Sequence, residues 1–184
     1  SLNPSESQQK AARFGVPRIV NPDEIMNDSN IDCILNLTIP AAHAEVSLGA
    51  LHAGKHVYSE KQFAANRADA QSILDLAQDK NLLVGNAPDT FLGGCWQTVR
   101  RMIDTGVIGD VTGCMTFIDT HGVERHHPNP DFYYQEGGGP LLDLGPYNLM
   151  VMVFLLDPIA RVSGMVRKLL TRDRSKMDPE LENG

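Results

Sequence analysis

The sequence predicts an α/β protein built on a parallel sheet, because three short apolar runs alternate with segments of helical periodicity. The runs are residues 31–37, 56–59 and 82–86. Strands that alternate with helices are joined by crossovers, and crossovers make neighbouring strands parallel. With 184 residues and 42% hydrophobic content, the chain can bury a core, which argues against disorder.

The first half of the chain divides into β-α units. Residues 31–37, Ile-Asp-Cys-Ile-Leu-Asn-Leu, are almost wholly apolar and predict a strand covered by helices on both faces. Residues 44–53 have helical spacing and stop before Gly54, a common helix terminator. Residues 56–59 predict the second strand, and Asn66 predicts the cap of a helix that runs to about residue 80. Residues 82–86 complete three strands.

The pattern changes near Asp89, where we place a boundary between domains of residues 1–88 and 89–184. The predicted elements beyond it are a helix at 93–105, a turn at 106–110, a strand at 111–120, an ordered loop over a site at 121–136, a buried helix at 141–156 with Asp143 in its first turn, and a strand at 159–170. Before the first strand, residues 13–26 predict a helix end followed by a loop.

Composition limits the partners. The formal net charge of −7 and the lack of Lys and Arg clusters interleaved with aromatics argue against nucleic acid. No run reaches the roughly 18 apolar residues of a membrane span, and residues 1–10 contain no hydrophobic signal core. Three widely spaced cysteines, Cys33, Cys95 and Cys114, predict reduced core thiols. We therefore expect a cytoplasmic protein without a membrane partner.

Histidines do not indicate a metal site. His121, His126 and His127 lack the short paired spacing of a closed zinc site, and the adjacent pair would diverge on an extended chain. The sequence therefore predicts no metal.

Two polar clusters outline a candidate site. Glu60 and Lys61 directly follow the second strand, and open α/β sheets bind their ligands at the carboxyl ends of strands. Residues 137–147, Gly-Gly-Gly-Pro-Leu-Leu-Asp-Leu-Gly-Pro-Tyr, add Asp143 and Tyr147 near the start of a helix.

These same segments resemble a known family. Residues 53–61, Ala-Gly-Lys-His-Val-Tyr-Ser-Glu-Lys, are similar to the A-G-K-H-V-x-x-E-K-P signature of the Gfo/Idh/MocA family of nicotinamide-dependent oxidoreductases. Residues 137–147 resemble its G-G-G-x-x-x-D-x-G-x-H pattern, and residues 36–43 resemble its loop beside the nicotinamide ribose. The resemblance extends from residue 14 to about residue 170. It implies a Rossmann-type domain for NAD or NADP, and an α/β domain with an open, mostly antiparallel sheet that often joins subunits into homo-oligomers.

The resemblance also implies that the sheet is incomplete. No G-x-G-x-x-G turn occurs in these residues, and the acid that normally follows it has no counterpart. We expect the family's first β-α-β unit and part of its second domain to be absent, so that this chain alone binds cofactor poorly. A truncated or incompletely given chain and a naturally shortened protein both explain this, and the first is favoured because lost strands leave unpaired edges.

By position in the family motifs, Lys61 resembles the catalytic lysine, Asp143 the substrate-side aspartate and Glu60 a residue near the cofactor ribose. Oxidation of a secondary alcohol needs a base within hydrogen-bond reach of the hydroxyl, and Lys61 is the first choice. Asp143 either orients Lys61, holds a sugar hydroxyl or simply favours a helix N-terminus. The residues expected at the cofactor are Thr38, Pro40, His43, Glu60, Lys61 and Asn86.

The loop before the second cluster supplies further substrate candidates. His121, Tyr133 and Tyr134 are expected to line a polar sugar pocket together with Asp143, although the tyrosines alternatively only cover the sheet.

Two residues depart from the family pattern. Tyr147 stands in place of a histidine, and a phenol with a reference pKa of about 10 relays protons near pH 7 less readily than an imidazole near 6.5. Tyr147 either donates to the substrate oxygen or only packs, and a neighbouring lysine is expected to lower its pKa. Gln62 replaces the usual proline, so we expect a trans peptide bond there, because cis costs roughly 2.5–4 kcal/mol.

The function predicted is hydride transfer between NAD(P) and a secondary alcohol of a sugar, cyclitol or similar polyol. Alternatives are an NAD-dependent glycoside-cleaving enzyme, a catalytically inactive sugar- or nucleotide-sensing protein, and an assembly module that pairs through its sheet.

Overall fold

The structure, a computed structural model, describes residues 3–119, 123, 130–135 and 137–165. The strands are β1 (Cys33–Asn36), β2 (His56–Ser59) and β3 (Val84–Asn86). The helices are α1 (Pro4–Phe14), α2 (Pro22–Asn27), α3 (His43–His52), α4 (Arg67–Asp79), α5 (Gly94–Asp104), α6 (Pro140–Asp143) and α7 (Gly145–Leu156). Short 3-10 turns lie at Pro40–Ala42, Asp89–Leu92 and Pro130–Tyr134.

The sheet is parallel with the order β1-β2-β3, which confirms the predicted sheet. Its register aligns Asn36 with Ser59 and Ser59 with Asn86. Three polar residues therefore end the three strands side by side, and the loops that follow them leave from one edge.

The core lies on one face of this sheet. Ile34 and Val57 are 7% and 2% exposed and join α3 and α4 residues in one apolar cluster. On the opposite face, Leu35 and Leu37 are 60% and 65% exposed. The expectation that helices cover both faces is therefore wrong for the described residues, because α3 and α4 pack against each other on the same side.

Local capping explains where the helices begin. Asn66 accepts a hydrogen bond from the Asp69 N–H at 2.9 Å, so the predicted cap of α4 is confirmed. The predicted loop at 13–26 is wrong in its last part, because α2 begins within it. There the Asn21 side chain and Glu24 form a reciprocal capping box, and Pro22 suits the first helical turn.

Beyond β3 the structure departs further from the predicted elements. The helix at 93–105 is confirmed as α5. The strand predicted at 111–120 is wrong for residues 111–119, and that at 159–170 for residues 159–165, because no described residue pairs with them in a ladder. Residues 120 and 166–170 lie outside the described residues.

The single buried helix predicted at 141–156 is two helices, α6 and α7, separated at Leu144. Pro146 has no N–H to donate to the carbonyl of Leu142, four positions earlier, so a continuous helix would lose that hydrogen bond, and the proline instead lies in the first turn of a new helix. Asp143 therefore ends α6 and does not open α7. The buried residues of α7 are Gly145, Val151 and Leu155, so the helix is only partly buried.

The predicted burial of the cysteines is wrong. Cys33, Cys95 and Cys114 are unpaired thiols, but all three are exposed. Cys33 alternates with the buried Ile34 along β1, so it points to the uncovered face of the sheet. The apolar residues next to Cys33 in the sequence did not indicate which of the two faces of the sheet its side chain would lie on.

Candidate active site

Lys61 and Asp143 are paired although 82 positions separate them. The Lys61 ammonium donates to the Asp143 carboxylate and, at 2.8 Å, to the Asp143 main-chain carbonyl. The side chains are 17% and 33% exposed, so the pair is only partly accessible to water. The ammonium is therefore held in place by two oxygens of one residue from the second polar cluster.

The turn after β2 is held by both neighbouring strands. The Glu60 N–H donates to the Asn36 carbonyl at 2.8 Å, and the Asn86 side-chain amide donates to the Glu60 carbonyl at 2.8 Å. The Glu60 carboxylate in turn accepts the Lys61 N–H at 2.7 Å. The parallel sheet thereby brings Glu60, Lys61 and Asn86 to one edge, as strand-end placement predicts.

The loop after β1 is organised by two buried polar side chains. The Asn36 amide donates to the His43 carbonyl at 3.0 Å, and the Thr38 hydroxyl donates to the Asn36 side-chain oxygen at 2.7 Å. His43 is fully buried, and its ring nitrogens contact the carbonyls of Gln62 at 2.6 Å and Thr38 at 2.9 Å. His43 thus positions the loop that carries Thr38 and Pro40, with both ring nitrogens already engaged.

Gln62 is the residue whose role the sequence analysis missed. Its peptide bond with Lys61 is cis, so the expected trans bond is wrong. The Gln62 carbonyl contacts the His43 ring, and the Gln62 side chain donates to the Gly137 carbonyl at 2.6 Å. The intrinsic preference for a trans bond takes no account of these two hydrogen bonds. The available signal was the substitution itself, since glutamine has an amide donor that proline lacks.

Tyr147 lies over the lysine. The Lys61 Nζ atom is 5.4 Å from the centre of the Tyr147 ring, within cation–π range. Burial raises the pKa of the Tyr147 phenol, and this outweighs the lowering effect of the Lys61 charge. The expectation of a lowered pKa is therefore wrong in sign, because desolvation of the phenolate dominates.

A small cleft, with a cavity volume of about 20 Å³, lies between the two polar clusters and opens to solvent. Pro40, Lys61 and Gln62 line one side, and Tyr133, Gly137 and Asp143 contribute to the other. Tyr133 is 5% exposed, and its ring meets the Tyr134 ring edge-on at 5.5 Å.

The remaining substrate candidates differ in placement. Tyr134 is 52% exposed and, among the described residues, is not one of those that line this cleft. His121 lies outside the described residues.

The part of the chain that the structure describes contains no group of three or more His, Cys, Asp or Glu residues arranged to hold a metal ion. His121, His126 and His127 lie outside that part. None of the described helices combines the length and apolar character that a membrane crossing requires.

Comparison with known proteins agrees with this geometry. Residues 1–87 match the family model described as "Oxidoreductase family, NAD-binding Rossmann fold", and residues 96–182 match the "GFO/IDH/MocA C-terminal domain" model. Across the two models, the matches include the strand-end turn with Lys61 and the segment with Asp143.

Individual proteins show the same similarity. An uncharacterized oxidoreductase of Schizosaccharomyces pombe is 33% identical over 148 residues, which cover 78% of this chain and 38% of that protein. The dTDP-3,4-didehydro-2,6-dideoxy-alpha-D-glucose 3-reductase of Streptomyces violaceoruber is 30% identical over 166 residues, covering 90% of this chain and 48% of the reductase.

Among solved structures, biliverdin reductase from Synechocystis sp. PCC 6803, in complex with biliverdin and NADP+, superposes with a TM-score of 0.67 at 26% identity, covering 86% of this chain and 49% of that chain. The chain thus spans less than half the length of these relatives. Since models of both family domains match in chain order over almost all of its residues, the chain belongs to the Gfo/Idh/MocA family of oxidoreductases.

Proposed function

We propose that the protein carrying this chain is an NAD(P)-dependent oxidoreductase that transfers hydride between the nicotinamide and a secondary alcohol of a sugar, cyclitol or similar polyol. The observation that carries the proposal is the Lys61 ammonium, held by Asp143 in a cleft at the carboxyl edge of a parallel sheet. The carboxyl edge is where an open α/β sheet binds its ligand, and the Lys61 ammonium places a proton-carrying group at that edge.

The residues at this edge fit a nicotinamide cofactor. Thr38 and Pro40 follow β1, Glu60 follows β2, and Asn86 ends β3, so polar and small groups from three strands lie together. His43 fixes the first of these loops through its two carbonyl contacts. When bound, NAD or NADP supplies the hydride acceptor or donor.

Four side chains have distinct tasks in this proposal: three that line the cleft, and Tyr147, whose ring lies beside the Lys61 ammonium. Lys61 exchanges the proton of the substrate hydroxyl through its Nζ atom, and Asp143 orients that atom. Because burial raises its pKa, the Tyr147 phenol stays protonated near neutral pH and acts as a hydrogen-bond donor, not as a base. Tyr133 forms part of the opposite wall of the cleft.

The sugar or polyol assignment draws support from the similarity to the dTDP-sugar 3-reductase, whose name specifies a sugar-nucleotide substrate. The biliverdin reductase shows that a protein with this fold also binds a tetrapyrrole with NADP+. A substrate panel therefore needs both chemistries.

The test is turnover of the full protein with NADH or NADPH on keto-sugars, inososes, nucleotide-linked keto-sugars and biliverdin. We expect reduction of a carbohydrate ketone, and a loss of about 10²–10⁴-fold in kcat for Lys61→Met, the range for general acid–base groups. Lys10→Met is the matched control, since Lys10 lies on α1 and pairs with Glu6 on the surface.

Turnover that Lys61→Met leaves unchanged would reject the assignment of Lys61. Saturable cofactor binding without hydride transfer to any carbohydrate would favour the sensing alternative. Tight retention of NAD during glycoside cleavage, without net NADH, would favour the glycoside-cleaving alternative.

We also propose two domains, 1–88 and 89–184, and homo-oligomers formed through a mostly antiparallel sheet of the second domain. The ends of the two family matches, at residues 87 and 96, support the boundary. Met115 and Phe117 are 76% and 81% exposed, which leaves two large apolar side chains that contact with a second copy would bury. Light scattering of the wild type and of Phe117→Lys tests this, and an unchanged mass would argue against it.

A further inference from the structure

Gln62 is a buried polar residue that connects two parts of the cleft. It is 6% exposed, and its amide nitrogen donates to the Gly137 carbonyl at 2.6 Å. The other side-chain atom, Oε1, is buried and has no hydrogen-bond partner among the described residues. The amide nitrogen therefore makes a short hydrogen bond across the cleft, while the buried oxygen without a partner is destabilising.

The backbone of Gly137 lies directly against this region. Gly137 has φ +83, which favours glycine. A Cβ atom on it would contact the Ala65 Cβ at 3.4 Å and the Gln62 Nε2 at 3.5 Å. The glycine segment is thus packed against the residues that follow Lys61, with the Gln62 hydrogen bond as its polar contact.

The same glycine segment leads into the partner of the lysine. It continues to α6, where the Asp143 N–H donates to the Gly139 carbonyl at 2.9 Å and Asp143 pairs with Lys61. Two adjacent residues, Lys61 and Gln62, therefore hold the two ends of residues 137–143. The Gln62 backbone is itself held, since its carbonyl contacts the buried His43 ring at 2.6 Å.

We propose that Gln62 is a positioning residue: by holding the Gly137 carbonyl it keeps Asp143 against Lys61, and so sets the place of the ammonium in the cleft. Its effect on hydride transfer rests on the proposed function, whereas its effect on the lysine does not. Gln62 acts through the Lys61–Asp143 pair and makes no contact with the reacting atoms.

If Gln62 only stabilised the fold, its substitution would act through a loss of stability, so the expected change in Tm has to be small. Gln62→Met keeps the length of the side chain and removes the donor, and it also removes the unpartnered buried oxygen. Because an unsatisfied buried acceptor is itself destabilising, the two changes partly cancel, and we expect Tm to shift by no more than about 3 °C.

The experiment measures acylation of individual lysines by an amine-reactive ester in the full protein, read by peptide mass spectrometry. The variants are Gln62→Met and Gln62→Glu, which keeps the shape but has no donor. The matched control is Gln97→Met, because Gln97 also donates from its amide to a carbonyl, that of Phe91 at 2.9 Å, at an exposed position.

We expect both Gln62 variants to label Lys61 about fivefold faster, the factor that corresponds to one hydrogen bond of about 1 kcal/mol. Lys55, 6% exposed with its ammonium bound to the Asp28 carbonyl, reports on fold integrity and should be unchanged. Lys10, on the surface, is the internal reference. In the same variants kcat should fall about tenfold, while the Kd for NADH or NADPH stays within about twofold.

Unchanged Lys61 labelling in both variants would overturn the proposal. So would a parallel rise at Lys55, which would make Gln62 a general stabiliser, or a rise only in Gln62→Glu, which would assign the effect to the added charge. Since labelling needs no substrate, it decides the role of Gln62 even if no turnover is found, and the two proposals fail separately.

Discussion

The strength of the Lys61–Asp143 pair can be measured by a double-mutant cycle with Lys61→Met and Asp143→Asn. The side chains are 17% and 33% exposed. Fully exposed pairs contribute about 0–1 kcal/mol, and hydrogen bonds to charged groups contribute about 1.5–3 kcal/mol. A partly buried, charge-assisted contact between these limits should give a coupling energy of about 2 kcal/mol.

The two single variants should differ in a defined way. Asp143→Asn keeps the main-chain carbonyl that accepts from Lys61 at 2.8 Å, whereas Lys61→Met loses both contacts. For a domain of this size about 1 kcal/mol corresponds to a change in Tm of about 2–4 °C, so a loss of about 2 kcal/mol in Asp143→Asn lowers Tm by about 4–8 °C. Urea unfolding supplies the four free energies of the cycle.

The exposed pair of Lys10 and Glu6 on α1 is the control, with side chains 65% and 48% exposed. Its coupling energy should be about 0.3–0.5 kcal/mol. If the coupling energy between Lys61 and Asp143 is no larger than this, then partial burial does not strengthen the pair, and Asp143 does not hold the ammonium in place.

Three further predictions follow from other residues. Tyr147→His should give the pH profile of kcat/KM a limb near about pH 6.5 that the wild type lacks, because burial raises the pKa of the native phenol away from neutrality; superimposable profiles would contradict this. Gly85→Ala would place a Cβ 2.6 Å from the Tyr58 ring and should cost about 1–3 kcal/mol in urea unfolding, a cost that should largely disappear in a Tyr58→Ala background. The pKa of the Asp28 carboxyl is lowered, chiefly by the hydrogen bond from the Asn30 N–H, so the contribution of Asp28 to stability is present above the ordinary pKa of 3.8 and is lost as pH falls through the lower folded pKa. Asp28→Asn should therefore flatten the acid limb of a plot of unfolding free energy against pH. An unchanged acid limb would contradict this.

Sequence patterns located the elements that local interactions specify. The strand at residues 56–59 is confirmed at its predicted bounds, and the Asn66 cap and α5 are confirmed as well. Each depends on neighbours a few positions away: alternation of side chains, a capping oxygen within three residues, or helical spacing of apolar groups. Pairing partners are not local, so the strand predicted at 111–120 was not distinguishable from an extended segment without a ladder.

The candidate site also combines features that local sequence specifies with contacts that only tertiary packing creates. Placement of Glu60 and Lys61 at a strand end followed from the sequence, because parallel strands end at one edge of a sheet. The contact of Gln62 with Gly137, 75 positions away, did not, and neither did the sign of the Tyr147 pKa shift. Both depend on which groups tertiary packing brings together and how much water it removes.

By itself, the sequence determined the parallel α/β order, the family motifs and the two polar clusters of this protein, because periodicity, capping and motif spacing are properties of short segments. Only the tertiary structure decided that Asp143 holds Lys61, that His43 and Gln62 support the cleft from within, and that the face of the sheet bearing Leu35 is exposed. These depend on contacts between distant segments, whose free energies come from burial and geometry that no local pattern encodes.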